Sequence, residues 1–178
     1  MSGGFGRRFP IPAAVPRRAD LWLSLPMATV EVTRRMAAGP ARVYALVADV
    51  TRMDRWSPES AGARWVRGEP GTVGARFVGR NRHGLRRWST LCTVTAADPG
   101  RRFAFDVTWL GRPIATWEFR LTAVDGACEV RESTTDRRSR LLRAVTPIGT
   151  GVARRAEHNR RTMTRTLDAL DRAARTLP

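Results

Sequence analysis

The sequence predicts an α+β fold in which an antiparallel β-sheet is covered on one side by a long C-terminal α-helix. Three observations support this prediction. A strand pattern passes into a helical stripe near residue 40, residues 62–135 alternate between apolar and polar positions, and residues 149–177 show helical spacing. Alternation with a period of two and one polar face is typical of a sheet that is wet on one side, so the last segment is expected to cover the other side.

Residues 1–26 carry four prolines and three glycines without a sustained hydrophobic period. A segment of this composition buries too little apolar surface to offset the entropy lost on ordering. We therefore expect a disordered N-terminal extension at 1–26, followed by one ligand-binding domain at 27–178. Alternation starts abruptly with "MATVEVTRR", which makes Met27 a candidate for the natural start.

The first elements of the domain are a strand, a helix and a short turn. The segment "ATVEVTRR" alternates, and "GPARVYALVAD" then carries a helical stripe of Val43, Leu46, Val47 and Val50. Pro40 suits the first turn of that helix. A second short helical turn is predicted to end near Trp56, because Pro58 disfavours helical geometry at the residue before it.

The following strands are separated by turn sequences such as "GEPGTVG", "NRHGL", "ADPG", "LGRP" and "VDG". In each strand one face is mostly apolar and the other carries charges. The predicted inner face contains Phe77, Gly79, Asn81, Trp88, Thr90, Cys92, Val94, Phe103, Phe105, Val107, Trp109, Trp117, Phe119, Leu121, Cys128, Val130, Glu132 and Thr134.

The C-terminal segment predicts one long helix that lies against this inner face. Val152, Ala156, Met163, Leu167 and Leu170 recur at helical spacing. Before it, "DRRSRLLRAVTPIGTG" (136–151) is interrupted by proline and glycine and is interpreted as a connector. Its expected packing points are Leu141, Leu142 and Val145.

The basic composition does not by itself indicate a partner. The 178-residue chain has a formal net charge of +16, and all 32 basic residues are Arg, which is more typical of a coding bias than of one binding surface. Nucleic-acid or anionic-surface binding through the Arg-rich C-terminal segment stays a weaker alternative. Because the aromatic residues alternate inward, no stacking platform accompanies those arginines, and nucleic acid is not favoured.

Composition also bears on location and on metals. The sequence has no apolar run long enough to span a membrane, and prolines interrupt the segment after the N-terminal arginine pair, so we expect a cytoplasmic protein. Cys92 and Cys128 have no metal or redox spacing and are expected to be reduced and buried. His83 and His158 lack a catalytic or metal pattern and are assigned to turn and surface positions. We expect no metal and no cofactor.

The order of the elements and their local sequences together resemble those of the START and Bet v 1-like (SRPBCC) superfamily, in its polyketide cyclase/dehydrase branch. The segments that carry the resemblance are "VEVTRRMAAGPARVYALVADVTRMDRWSPE", "GARFVGRNRHGLRRWSTLCTVTAADPGRRFAF", "TWEFRLTAVDGACEVRES" and the closing helix. The resemblance implies a helix-grip fold, in which a curved antiparallel sheet wraps around the C-terminal helix. It also implies an apolar cavity between the two, which in relatives holds lipids, sterols, hormones or polyketides, but it implies no particular reaction.

Within such a cavity, tryptophans and inward polar residues are the candidate ligand contacts. Trp88 and Trp117 are the favoured walls, since an indole offers a flat apolar surface, although core packing is the simpler role for any single tryptophan. Glu132 and Asn81 point inward, where a carboxylate needs a partner or a raised pKa. Each is either an anchor for a ligand hydroxyl or carbonyl, or a structural group, with Arg160 as a possible partner of Glu132.

The remaining candidates lie on the C-terminal helix and before the second strand. Asn159 and Arg160 interrupt the apolar stripe before Met163, as the rim of a pocket would. Glu59 either contacts a ligand at the cavity mouth or pairs with an arginine such as Arg55. The predicted ligand-binding set is Phe77, Asn81, Trp88, Phe105, Trp109, Trp117, Val130, Glu132, Asn159, Arg160 and Met163.

Binding of a hydrophobic small molecule is therefore the leading functional prediction. The alternative is a polyketide-type cyclase or dehydratase in which Glu132 or Glu59 removes a proton while Arg160 or Asn81 stabilises an enolate.

Overall fold

The structure, a computed structural model, describes residues 29–176. The predicted disordered extension at 1–26 and the candidate start at Met27 lie outside the described residues.

Seven antiparallel strands form one sheet in the order β1-β7-β6-β5-β4-β3-β2. The strands are β1 (Thr29–Met36), β2 (Ser60–Arg67), β3 (Arg76–His83), β4 (Arg86–Asp98), β5 (Arg102–Trp109), β6 (Arg112–Val124) and β7 (Ala127–Asp136). The helices are α1 (Pro40–Ala48), a 3-10 helix (Val50–Arg55), α2 (Arg140–Thr150) and α3 (Arg155–Thr176). Register shifts between β2 and β3, β4 and β5, and β5 and β6 mark bulges, which bend a sheet. The predicted helix-grip fold is confirmed.

The core lies between the inner face of the sheet, α1 and the C-terminal half of α3. Alternate residues of the strands are buried there as predicted, and α3 contributes Leu167, Leu170 and Ala174. Below the N-terminal half of α3, by contrast, the space between helix and sheet is not filled by side chains. The fold therefore divides into a packed end and an open end.

An ion cluster holds α3 against the first strand. The Arg34 guanidinium on β1 pairs with Asp168 and lies 3.4 Å from Oδ2 of Asp171, and Asp171 also accepts a hydrogen bond from Arg175 at 2.8 Å. Asp171 is buried although it is charged. Buried carboxylates are stable only when paired, so this cluster fixes the position of the helix on the sheet.

The segment interpreted as a connector contains the helix α2. Ser139 caps its N-terminus by accepting a hydrogen bond from the Leu142 amide at 3.3 Å, and Gly151 ends it with a φ of 74°. Pro147 lies inside the helix and Gly149 in its last turn, so these two residues do not break it. Of the expected packing points only Leu142 is buried, whereas Leu141 and Val145 are exposed.

Helix α3 is shorter than the sequence pattern indicated. It begins at Arg155, so the buried Val152 belongs to the loop before it, and Ala156 is exposed rather than packed.

Cys92 and Cys128 are free and buried, as predicted. Within residues 29–176, no helix is long and apolar enough to span a membrane.

Candidate functional site

A cavity of about 600 Å³ occupies the open end of the fold. Its walls come from the inner face of β3 to β7, the 3-10 helix region, α2 and the N-terminal half of α3. This volume lies within the range of ordinary small-molecule sites, about 300–1,000 Å³. The site therefore exists because the sheet curves away from α3 where α3 carries Asn159, Thr162 and Thr166 instead of large apolar residues.

Most residues of the predicted ligand-binding set line this cavity. They are Phe77, Asn81, Trp88, Phe105, Trp109, Trp117, Glu132, Asn159 and Met163, and Glu59 lines it as well.

Two predicted residues do not line the cavity. Val130 is fully buried in the core cluster that includes Leu167 and Leu170, so the packed end of the fold covers it. Arg160 is exposed on the side of α3 that turns to solvent, and no contact joins it to Glu132. Arg160 therefore does not pair with Glu132 and does not line the cavity, because it lies on the solvent side of α3.

Aromatic rings form the apolar wall. Phe77 packs edge-on against Phe105 with ring centroids 5.2 Å apart, and Trp65 packs behind Phe77 at 5.3 Å. Trp88 and Trp117 are half-buried, while Trp109 is 41% exposed. Partial exposure of cavity-lining indoles places them toward the opening, where they present flat apolar surface to a ligand.

Glu132 is a buried acidic residue in the cavity wall. It is 3% exposed, and its Oε2 atom is buried without a hydrogen-bond partner. Burial raises the pKa of this carboxyl well above the ordinary glutamate value, because an ionised carboxylate loses its hydration there. Burial therefore favours the protonated, neutral form of Glu132.

Glu59, unlike Glu132, is surrounded by groups that favour its ionised form. Its Oε1 accepts a hydrogen bond from Nη1 of Arg155 at 2.7 Å, and its Oε2 lies 3.2 Å from Nε2 of His158. Burial acts to raise the pKa of Glu59, but the hydrogen bonds and charges of His158 and Arg155 outweigh it and lower the pKa. Glu59 is an ionised carboxylate that ties the start of β2 to the first turns of α3.

This cluster corrects two sequence interpretations. Glu59 pairs with Arg155 rather than with the exposed Arg55. His158 is a half-buried partner of Glu59, and its ring packs edge-on against that of His83 at 4.9 Å between centroids. Arg155 also lies 5.9 Å from the ring centroid of Trp88, so the cluster borders the aromatic wall.

A second ion pair in the lining was not predicted. Asp136 at the end of β7 accepts hydrogen bonds from Arg138 at 2.8 and 2.9 Å, and Arg138 also donates to Oγ1 of Thr146 in α2 at 2.6 Å. Burial acts to raise the pKa of Asp136, but the Arg138 hydrogen bonds and charge lower it overall. The sequence offered no signal for this pair beyond an acidic residue next to arginines.

Asn81 lies on β3 and is held within the sheet. Its Nδ2 lies 3.5 Å from Oγ1 of Thr90 on the neighbouring strand, a long hydrogen bond that leaves the amide available to the cavity.

Among residues 29–176, no group of three or more His, Cys, Asp or Glu side chains is arranged to hold a metal ion.

Comparison with known proteins assigns the chain to a protein family. The model of the family described as polyketide cyclase / dehydrase and lipid transport matches residues 27–175. Among curated protein sequences, none matches significantly.

Solved structures share the fold. A Polyketide_cyc-like protein of Corynebacterium glutamicum is 30% identical, with 84% of this chain and 93% of that chain covered and a TM-score of 0.56. The major latex-like protein of Panax ginseng is 11% identical, with 85% and 99% covered and a TM-score of 0.63. A protein of Chromobacterium violaceum is 14% identical, with 82% and 96% covered and a TM-score of 0.62. With the family model covering most of the chain, this protein belongs to the polyketide cyclase/dehydrase and lipid transport family of the SRPBCC superfamily.

Proposed function

We propose that the protein binds a hydrophobic, ring-containing small molecule in the cavity between the sheet and α3. The observation that carries this proposal is the cavity of about 600 Å³, whose surface is mostly apolar and includes the rings of Phe77, Phe105, Trp88 and Trp117. Such pockets bind ligands chiefly by removing apolar surface from water, while a few polar groups fix the orientation. The description of the family includes lipid transport, which agrees with a binding role.

Binding is proposed rather than turnover because the carboxylates are not arranged as a proton-transfer pair. Glu59, one candidate base, is occupied by Arg155 and His158. Glu132, the other candidate, has its pKa raised by burial, which favours the protonated form over the ionised form that a base needs. Of the two residues that the cyclase hypothesis offered for an enolate, Arg160 is exposed, and Asn81 lines the cavity as an uncharged amide.

A neutral fluorescent dye tests the proposal. N-phenylnaphthylamine is weakly fluorescent in water and brightens in apolar surroundings, and it contains two aromatic ring systems of the kind the wall accommodates. Titration should give a saturable signal with one dye per chain, and organic extraction of the purified protein should identify a hydrophobic molecule that competes with the dye. Fluorescence that rises linearly without saturation would contradict a binding cavity.

A further inference from the structure

Glu132 lies in a largely apolar part of the cavity wall, where it has no hydrogen-bond partner. On the neighbouring strands its directly opposed residues are Val32 of β1 and Phe119 of β6, and on the same face of β7 Val130 precedes it and Thr134 follows it. Helix α3 contributes Met163 and Thr166 to the lining across the cavity. An acid in these surroundings has its buried oxygen unsatisfied, which costs free energy until something in the cavity hydrogen-bonds to the group.

The charged groups of the packed elements are already engaged elsewhere. Arg34 shares the inner face of β1, but it pairs with Asp168 and Asp171 of α3. The residues of α3 that line the cavity are Arg155, Asn159, Thr162, Met163 and Thr166, and Arg155, the one charged residue among them, pairs with Glu59. Among the described residues, Glu132 has no cation as a hydrogen-bond partner.

We propose that Glu132 recognises its ligand as a neutral acid, donating its hydroxyl hydrogen to a carbonyl oxygen of an uncharged, largely aromatic molecule. This inference rests on the proposed function, since it names the part of the same cavity that orients the ligand. A protonated carboxyl has one O–H donor, and an apolar site that keeps the acid neutral makes that donor available. The cavity thereby selects ligands with an acceptor at this end.

A carbonyl fits this position better than a charged group. A ligand carboxylate would lose its hydration beside Glu132, where no cation is free to receive it. A ligand ammonium would require Glu132 to ionise and would bury two charges. A ligand carbonyl buries no charge, and it accepts a hydrogen bond from the Glu132 carboxyl, which has no other partner.

A matched probe pair separates this inference from the proposed function. Methyl naphthyl ketone and isopropylnaphthalene have nearly the same shape, but only the ketone carries an acceptor. Kd for each probe is measured by calorimetry with the wild type, with Glu132→Leu and with Glu132→Gln. The ratio of the two Kd values within each protein removes the difference in water solubility between the probes. Glu129→Leu, the same change on the exposed face of the same strand, is the control.

The expected result is a ratio that favours the ketone in the wild type and shifts toward the hydrocarbon in Glu132→Leu by roughly 3- to 10-fold, the worth of one hydrogen bond. Glu132→Gln, whose amide still donates, should keep most of the preference, and Glu129→Leu should keep all of it. If both probes bind but the ratio is the same in the wild type and Glu132→Leu, the inference is overturned while the proposed function stands. If neither probe nor N-phenylnaphthylamine binds, both are overturned. Tighter, Glu132-dependent binding of naphthylethylamine than of the ketone would also overturn the neutral-acid role.

Discussion

Replacing Glu132 with glutamine should change how stability depends on pH. The ordinary pKa of the carboxyl is 4.5, which describes the unfolded chain, whereas burial raises the pKa well above that in the folded protein. Between these two values the unfolded chain loses its proton and the folded protein keeps it. The free energy of unfolding of the wild type therefore falls as pH rises through this window, and Glu132→Gln lacks this contribution.

The magnitude follows from proton linkage. One proton bound by the folded state and not by the unfolded state changes the free energy of unfolding by about 1.4 kcal/mol per pH unit. From about pH 5 to about pH 7 the wild type should thus lose up to about 2.7 kcal/mol relative to Glu132→Gln, for as long as the folded-state pKa lies above the measured pH. The slope reports the titration of Glu132 itself, because any packing difference between acid and amide changes the free energy of unfolding by the same amount at every pH.

Urea unfolding of both proteins at several pH values measures this slope. Subtracting one curve from the other cancels the remaining titrating groups, and Glu129→Gln, an exposed change on the same strand, is measured alongside as the control substitution. A flat difference for Glu132→Gln would refute the reasoning, because the carboxyl would then titrate alike in both states. A slope of opposite sign would show that a cation pairs with Glu132 in the folded protein.

Three further predictions follow from the other cavity residues and the thiols. Trp88→Ala should weaken N-phenylnaphthylamine binding, but since Trp88 is half-buried the loss of stability should stay below the roughly 3–5 kcal/mol of a fully buried aromatic; unchanged dye affinity would remove Trp88 from the site. Glu59→Gln should lower the free energy of unfolding by roughly 1.5–3 kcal/mol, the worth of charge-assisted hydrogen bonds. Because the folded-state pKa of Glu59 is lowered, that difference should be full above pH 4.5 and shrink as pH falls below it, whereas a difference that grows in acid would contradict the pairing with Arg155 and His158. Cys92 and Cys128 should resist a bulky thiol reagent in the native state, as both are buried and burial raises the pKa of Cys92 to about 12; fast labelling of either would show the inner-face register to be wrong.

The sheet and its inward face were predictable because burial on one side imposes a period of two on the sequence. Once Cys128 and Val130 are placed inward on β7, the same period places Glu132 inward, and all three are buried in the structure. Helix α2 was missed because Pro147 and Gly149 are strong breakers in general, yet both lie late in this helix.

The ion pairs of the site were not predictable from local pattern. Glu59 and Arg155 are 96 residues apart in sequence, and only the packing of α3 against the start of β2 brings them together. With 32 arginines in the chain, composition gave no means of choosing the partner, and the neighbouring Arg55 was the wrong choice. The position of Arg160 was not predictable for a related reason. The exact rotation of α3 decides that Asn159, and not the adjacent Arg160, faces the cavity.

Filling the cavity tests the central claim most directly. Gly79 lines it from β3, and a Cβ there would lie 3.6 Å from Oγ1 of Thr90 and 3.9 Å from Sγ of Cys92, which are ordinary contacts. Gly79→Leu should therefore leave the backbone unstrained and place its branched end in the cavity. With the variant's fold verified by circular dichroism, N-phenylnaphthylamine affinity should fall by roughly tenfold or more, the worth of about 1.4 kcal/mol of lost contact and overpacking. Arg80→Leu, the neighbouring change on the exposed face, should bind the dye as the wild type does. Wild-type affinity in a folded Gly79→Leu would mean that the dye binds elsewhere and that this cavity is not the binding site.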